Sequence, residues 1–421
     1  MPRRLLMVLI IIGLILVGIS YALILQPSVQ TWTGYHLMQI FTRIQTWLHP
    51  PQKVSFSTSG SVTISPLLPI TAEPSPLQST TPTQATNPIP AAFMISGGKY
   101  FSQHNRWNYC GPANLAMLLS YLGWSGTADD TARVLKPFPK DKNVMPYEML
   151  DFIQFSGLDG IVRVGGDLEV LKRLIANGYP VLVEKGPHFR DIQGNITWMG
   201  HYQVLNGYDD LNQVFTAQDS YIKADYPQPY AKLIEEWRSF NYTYLVAFNP
   251  EKRNEVLNLL GADADIANNF QRALRKAAEE TLNLRGVDQF YAFYNYGSNL
   301  VSLRDFAGAA KAYDTAFALY DSLPEDMSIR PYRILWYQTG PYFAYFYSGR
   351  YTEVIEKATH NSIEMVRDDV PALEESYYWR GMAEIKMGEN QAAVDDFYTC
   401  LNYHSGFEVC VKALNDQGIS P

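Results

Sequence analysis

The hydrophobic positions of this 421-residue chain fall into four successive regimes, and the first is continuous. Leu5 to Leu25 carries no charge and follows Arg3 and Arg4. At about 1.5 Å per helical residue such a run crosses a bilayer core of roughly 30 Å, and the flanking arginines hold the N-terminus on the cytoplasmic side. Residues 1–28 are therefore expected to form an uncleaved signal anchor, with a cleaved signal peptide as the competing reading. In the second regime, Val29, Trp32, Tyr35, Met38, Phe41, Ile44 and Trp47 recur every third position. A helix over 29–50 would show one broad aromatic face, suited either to the membrane interface or to dimerisation.

The third regime, 51–95, has almost no apolar pattern. From Val54 to Gly98 the one charged residue is Glu73, and Pro, Ser and Thr dominate, so an extended spacer is expected. Mixed periodicity begins near Lys99. The run Ala113 to Leu122 is apolar nearly all round and stops at Gly123, as a central buried helix does. Shorter helices are expected over Asp129–Leu135, Pro146–Phe155 and Leu168–Asn177, the last closing at Gly178. Strands follow over Pro180–Glu184, Gly200–Gly207, Val214–Asp219 and Tyr242–Phe248, which makes residues 96–258 an α+β domain.

From about Asp265 strand character is lost, and residues 263–421 read as helical. Three stretches share an offset of small and aromatic residues: Gly297…Phe306-Ala307-Gly308-Ala309…Tyr313…Ala316, then Gly349-Arg350-Tyr351…Val354…Ala358, then Gly381…Gly388…Ala393…Phe397…Cys400. Ala309, Val354 and Ala393 are 45 and 39 residues apart. This pattern resembles the tetratricopeptide repeat, whose stacked helix pairs need about three copies to hold a core. An ordinary helical bundle with alanine-rich interfaces is the alternative. Repeat grooves lined with aromatics suit recruitment of a peptide substrate or a protein partner.

Charge and cysteine usage narrow the chemistry. A net charge of -8, with basic residues clustered only at the extreme N-terminus, excludes nucleic acid as a partner. Three cysteines, Cys110, Cys400 and Cys410, show no CxxC spacing, so no metal site is expected. Cys400 and Cys410 pair if that end lies outside the cytoplasm, and otherwise read as two half-buried thiols.

Cys110 carries the candidate chemistry. It ends the run Gln103-His104-Asn105-Arg106-Trp107-Asn108-Tyr109-Cys110-Gly111-Pro112, where Gly-Pro places a helix start near Pro112 and the thiol against its positive end. That position favours thiolate. Downstream, His201 to Tyr221 reads as a hairpin whose turn is Tyr208-Asp209-Asp210-Leu211-Asn212. Centred on Asp210, the register sets Asp219 directly opposite His201 on one face of the sheet. A thiol, an imidazole base and an orienting carboxylate form a nucleophilic triad, with Gln103 and the Cys110 backbone N–H as oxyanion donors.

At these residues the chain resembles the papain-like cysteine peptidases, and within them stand-alone relatives of the bacteriocin-processing, double-glycine-leader peptidases. The resemblance covers about Lys99 to Pro250. It rests on Gln103, Cys110-Gly111-Pro112, Ala176-Asn177-Gly178-Tyr179-Pro180-Val181, Gly200-His201-Tyr202 with Gly207-Tyr208-Asp209, and Asp219. It implies a papain-like fold with Cys110 as nucleophile, His201 as base, Asp219 as orienter and Gln103 as oxyanion donor, without metal or organic cofactor. Tyr109 departs from the acidic residue usual in leader-processing enzymes, the gap from Gln103 to Cys110 is one longer than their usual six, and no ATP-binding transporter module is fused. The expectation is thus a membrane-anchored, extracytoplasmic cysteine peptidase acting on peptides or proteins. A catalytically inactive papain-like scaffold and a thiol amidase acting on cell-wall peptides are the alternatives.

Overall fold

A computed structural model describes residues 89–104, 106, 108–136, 143–190, 196–326, 328–359 and 373–421. The expected span Leu5–Leu25, the helix over 29–50 and the spacer up to residue 88 lie outside the described residues. Among the described residues no helix is long and apolar enough to cross a membrane.

The chain enters the fold earlier than the spacer reading allows. Strand β1 (Ala92–Met94) belongs to the main sheet, so the expected boundary at residue 95 moves back. Helices α1 (Cys110–Ser120), α2 (Ala128–Leu135) and α3 (Pro146–Phe155) follow, then β2 (Asp159–Arg163), α4 (Leu168–Ala176) and β3 (Val181–Lys185). A two-stranded ribbon, β4 (His188–Arg190) with β5 (Ile196–Trp198), precedes β6 (His201–Asp209), β7 (Val214–Asp219) and β8 (Lys223–Pro229). Helix α5 (Tyr230–Arg238) and β9 (Tyr244–Phe248) complete the sheet, whose order is β2-β9-β3-β6-β7-β8. Every neighbouring pair is antiparallel, and β1 lies against the last three residues of β6.

Alternation along the strands gives each face its own core. Leu182, Tyr202, Val204, Leu245 and Ala247 meet α1 and α3 on one side. Val181, Val183, Leu205, Val246 and Phe248 meet α4 and α5 on the other. Helix α1 is buried from Gly111 to Ser120, which its nearly all-apolar sequence requires. The helix starts at Cys110, two residues ahead of the expected start near Pro112. Tyr109 caps it, its carbonyl accepting the Ala113 N–H at 3.0 Å.

After α6 (Arg253–Leu260) the chain is helical: α7 (Ile266–Asn283), α8 (Gly286–Ser302), α9 (Phe306–Ser322), α10 (Gly340–Tyr347), α11 (Tyr351–Ala358), α12 (Glu374–Met387), α13 (Asn390–Tyr403) and α14 (Glu408–Asp416). Small residues let the paired helices approach. A Cβ on Gly297 would stand 2.9 Å from the Tyr313 ring, and one on Gly381 would stand 2.7 Å from Phe397. Cys400 and Cys410 are disulfide-bonded, joining α13 to α14.

The helical half is not hung from the α/β half by a bare linker. Trp198 and Phe240 belong to its aromatic core, Trp198 stacking on Phe240 at 5.6 Å and on Tyr291 at 6.3 Å. Asn241 and Asn299 exchange side-chain hydrogen bonds of 2.8 and 3.2 Å, and Gln338 Nε2 donates to the Ser239 carbonyl at 2.6 Å. These buried polar contacts fix one half against the other.

Candidate active site

The loop that delivers the thiol is tied down before the helix begins. Asn108 adopts a left-handed conformation, φ 50°, which its short polar side chain tolerates better than most, and this turns the chain into α1. Arg106 pairs with Asp129 in a bidentate contact, and the Tyr109 hydroxyl donates to the same carboxylate at 2.9 Å. Tyr109 thus reaches an acid on the neighbouring helix instead of supplying one. Cys110 occupies the first turn of α1, where backbone N–H groups have no intrahelical carbonyl to bond. Its side chain is half-buried, open enough to be attacked or to attack.

The second and third groups come from the hairpin, and the register that brings them together differs from the expected one. Asp209 accepts the Leu211 and Asn212 N–H groups and the Asn212 side chain, which widens the turn to four residues, Asp210 to Gln213. Near the turn Asp209 pairs with Val214, Tyr208 with Phe215 and Gly207 with Thr216. Continued without interruption, that register would set His201 against residue 222 and send Asp219 to the opposite face. A bulge at Asn206 intervenes, after which Leu205 pairs with Ala217 and Val204 with Gln218. The extra residue shifts the partner of His201 to 221, two positions from Asp219, so both side chains share a face. They are diagonal neighbours rather than the directly opposed pair expected.

Asn206 is held where the bulge needs it. Its Nδ2 donates to the Ile95 carbonyl at 2.9 Å, its Oδ1 accepts from Gln218 Nε2 at 3.2 Å, and its backbone carbonyl accepts the Ile95 N–H at 2.8 Å.

His201 Nε2 lies 2.9 Å from Asp219 Oδ1, and both side chains are almost wholly buried, at 2% and 0% exposure. The other imidazole nitrogen is left for Cys110, whose side chain hydrogen-bonds the ring. Asp219 Oδ1 also accepts the backbone N–H groups of Tyr221 at 2.9 Å and Ile222 at 3.0 Å, while Oδ2 accepts Gln203 Nε2 at 3.0 Å. Phe189 of β4 meets the imidazole edge-on at 5.2 Å and Tyr221 at 4.5 Å, and Tyr221 stacks on His104. This aromatic cover keeps water off the His201–Asp219 pair.

The electrostatics follow from these contacts. Burial alone would drive the imidazole toward its neutral form, but the charge and hydrogen bond of Asp219, joined by Cys110, raise His201 to about 9. Burial likewise pushes Asp219 up, and the His201 charge and hydrogen bond, with the Lys185 charge, bring it down to about 2. For Cys110, burial pushes the thiol up, and the His201 hydrogen bond and charge outweigh it and leave the thiol below its ordinary value. Both shifts act in the direction of a thiolate–imidazolium pair.

Gln103 sits beside this pair, and Ser220 fixes which way its amide points. The Gln103 backbone N–H donates to the Ser220 carbonyl at 2.9 Å. Ser220 Oγ accepts from Asn114 Nδ2 at 2.8 Å and donates to Gln103 Oε1 at 2.6 Å. The Gln103 NH2 group is therefore the end left to donate outward. Asn114 also donates to the Cys110 carbonyl at 2.9 Å, so one buried amide links the helix, the hairpin and Gln103.

Several residues here escaped sequence reading. Gln203 had a usable signal, standing two positions after His201 on the same strand face. Ser220, Asn114 and Lys185 had none, because their partners are distant in sequence. Tyr337, from the helical half, closes the side of the site. A Cβ on Gly200, the residue before His201, would stand 2.7 Å from its ring, and Tyr337 lies within electrostatic reach of Cys110.

Residues 96–245 match the Peptidase_C39 like family. The matched segment holds all four groups described above and has the mixed α/β fold of a C39-like peptidase. A solved structure described as a C39-like peptidase from Bacillus anthracis is 16% identical, the match covering 37% of this chain and 96% of that one with a TM-score of 0.31. No curated protein matches the chain. The helical half lies outside the C39-like segment, and neither comparison extends to a tetratricopeptide assignment or sets the chain beside leader-processing members.

Proposed function

We propose that the protein is a cysteine peptidase in which Cys110, His201 and Asp219 form the catalytic triad and Gln103 with the Cys110 N–H forms the oxyanion hole. The observation that carries this reading is the half-buried Cys110 thiol bonded to an imidazole whose other nitrogen is 2.9 Å from a fully buried carboxylate. The thiolate attacks the scissile carbonyl, the imidazolium gives its proton to the leaving amine, and water then releases the acyl group from sulfur. Asp219, held by four hydrogen-bond donors, fixes the ring and stabilises its charge. Hydrolysis of a fluorogenic peptide by the soluble part of the chain, compared with its Cys110→Ala variant, tests the reading directly.

Gln103 should matter through the transition state. Gln103→Ala is expected to lower kcat about 10²-fold or more with little change in KM. Ser220→Ala, which frees the amide to turn, should give a smaller loss of the same kind, and steady-state kinetics separate the two.

The helical half supports recruitment of a peptide or protein through repeat-like helix pairs, and Tyr337 brings that half to the edge of the catalytic cleft. Tyr337→Ala is expected to raise KM for peptides several-fold while leaving kcat near its original value. A fall in kcat with KM unchanged would argue against a binding role.

Anchoring by Leu5–Leu25 with the remainder outside the cytoplasm is supported by the paired arginines before the run and by the disulfide, which persists in oxidising compartments. On intact cells or spheroplasts, a membrane-impermeant maleimide should label Cys400 and Cys410 only after a reductant is added. Labelling that requires permeabilisation would place the helical half on the cytoplasmic side.

A further inference from the structure

Behind the triad carboxylate stands a charge that the hydrolytic chemistry does not use. Lys185, the last residue of β3, is the direct cross-strand partner of His201 and is buried as completely as the His201–Asp219 pair. Its Nζ donates to Gln228 Oε1 at 2.9 Å, lies 3.0 Å from Glu236 Oε2 and stands 4.0 Å from Asp219 Oδ2. Two positions earlier on the same strand face, Val183 fills an equivalent place with an apolar side chain. An ammonium in such surroundings is costly to bury, and replacing a buried ion pair by apolar residues is often neutral for stability. Stability therefore gives no reason for a lysine at this position, whereas proximity to Asp219 does.

We propose that Lys185 is a positioning residue of the triad: held beside Asp219 by Glu236 and Gln228, its charge opposes the imidazolium of His201 and sets the upper pH limit of the Cys110–His201 ion pair. This rests on the triad reading above. The charged and titratable groups facing the pair come from every neighbouring element. They are Cys110 of α1, Lys136 directly after α2, Tyr202 of β6, Glu184 of β3, Tyr226 of β8, Glu236 of α5, Tyr100 ahead of α1, Tyr221 beyond β7, and Tyr337 of the helical half. Lys232 reaches Glu236 at 3.7 Å, and His188 senses both. Among the described residues Lys185 is the lysine or arginine side chain within 4.0 Å of Asp219.

Removing the ammonium takes a like charge away from the imidazolium. It also leaves Glu236 either ionised, which attracts the imidazolium further, or protonated, which is neutral to it. Both outcomes act in one direction. Lys185→Met is therefore expected to move the basic limb of the kcat/KM–pH profile upward by about one pH unit, and Lys185→Arg to leave it in place. The titration of His201, followed by NMR of isotope-labelled histidine in a Cys110→Ala background, should show the same displacement. Should Lys185→Met not fold, Lys185→Met combined with Glu236→Leu supplies an apolar pair and a smaller upward displacement. A folded variant whose His201 titration is unmoved or moves downward overturns the proposal, as does an equal displacement in Lys185→Arg. Absence of hydrolysis by the unmodified protein would remove the peptidase reading alone, since the NMR titration still decides whether Lys185 acts on His201.

Discussion

Cys110→Ala is expected to abolish peptide hydrolysis, lowering kcat/KM by at least about 10⁴-fold, while leaving the fold and its melting behaviour nearly unchanged. The size follows from the mechanism: without the sulfur no acyl-enzyme forms, and only binding and the oxyanion hole are left. The mild effect on stability follows from the position. Cys110 is half-buried at the start of α1, touching the core only from its edge, and the fully buried positions of that helix begin one residue later. Cys110→Ser makes a sharper control, since it keeps the shape and replaces the thiol with a hydroxyl. Residual activity in either variant within tenfold of the unmodified protein would remove Cys110 from the reaction.

His201→Ala is expected to cost about 10³- to 10⁴-fold in kcat/KM and, independently of activity, to raise the pH at which Cys110 reacts with iodoacetamide. The sign is set by opposing influences on the thiol. Burial pushes its pKa up, and the His201 hydrogen bond and charge bring it below its ordinary value. Without the imidazole the burial effect dominates, so the labelling midpoint should pass above the value of a free thiol, about 8.5. The unmodified protein should label at a lower pH than the variant, since His201 holds the thiol below its ordinary value. Its kcat/KM should fall on the alkaline side near pH 9, where His201, raised to about 9 by Asp219, loses the proton needed by the leaving amine. A labelling midpoint that His201→Ala leaves unmoved would mean that the imidazole does not activate the sulfur.

Long elements with one dominant period were readable along the chain. The expected helix Pro146–Phe155 and strand Val214–Asp219 have the same bounds in the structure, and Asp129–Leu135 and Leu168–Asn177 differ by a residue at one end. Hydrophobic spacing reports directly on which face is buried, so such segments need little tertiary help. Short and edge strands were not readable. β1, β4 and β5 have three residues each, too few for a period, and β8 carries two prolines on the outer edge of the sheet. Helix α5 was not recognised either: Tyr230, Leu233 and Trp237 keep a helical spacing, but only 9 residues carry it between two strands. Its omission hid Glu236 and, with it, the setting of Lys185.

What the sequence determined by itself was the chemical cast: a cysteine ahead of a buried helix, a histidine and an aspartate on two strands of one hairpin, and a glutamine seven residues before the thiol. Residue identity and spacing carry that information. They could not settle which face Asp219 takes, because a side chain changes face with each one-residue shift in pairing. The turn chemistry of Asp209 alone sets a register that would put Asp219 on the wrong side. The bulge at Asn206 corrects it, and that bulge is tied to Ile95, in what the sequence presents as the end of a featureless spacer. Such a contact joins residues more than a hundred positions apart, which no local pattern encodes. The same holds for Lys185, Ser220 and Tyr337, whose places beside the triad exist only once the sheet, its helices and the helical half have packed together.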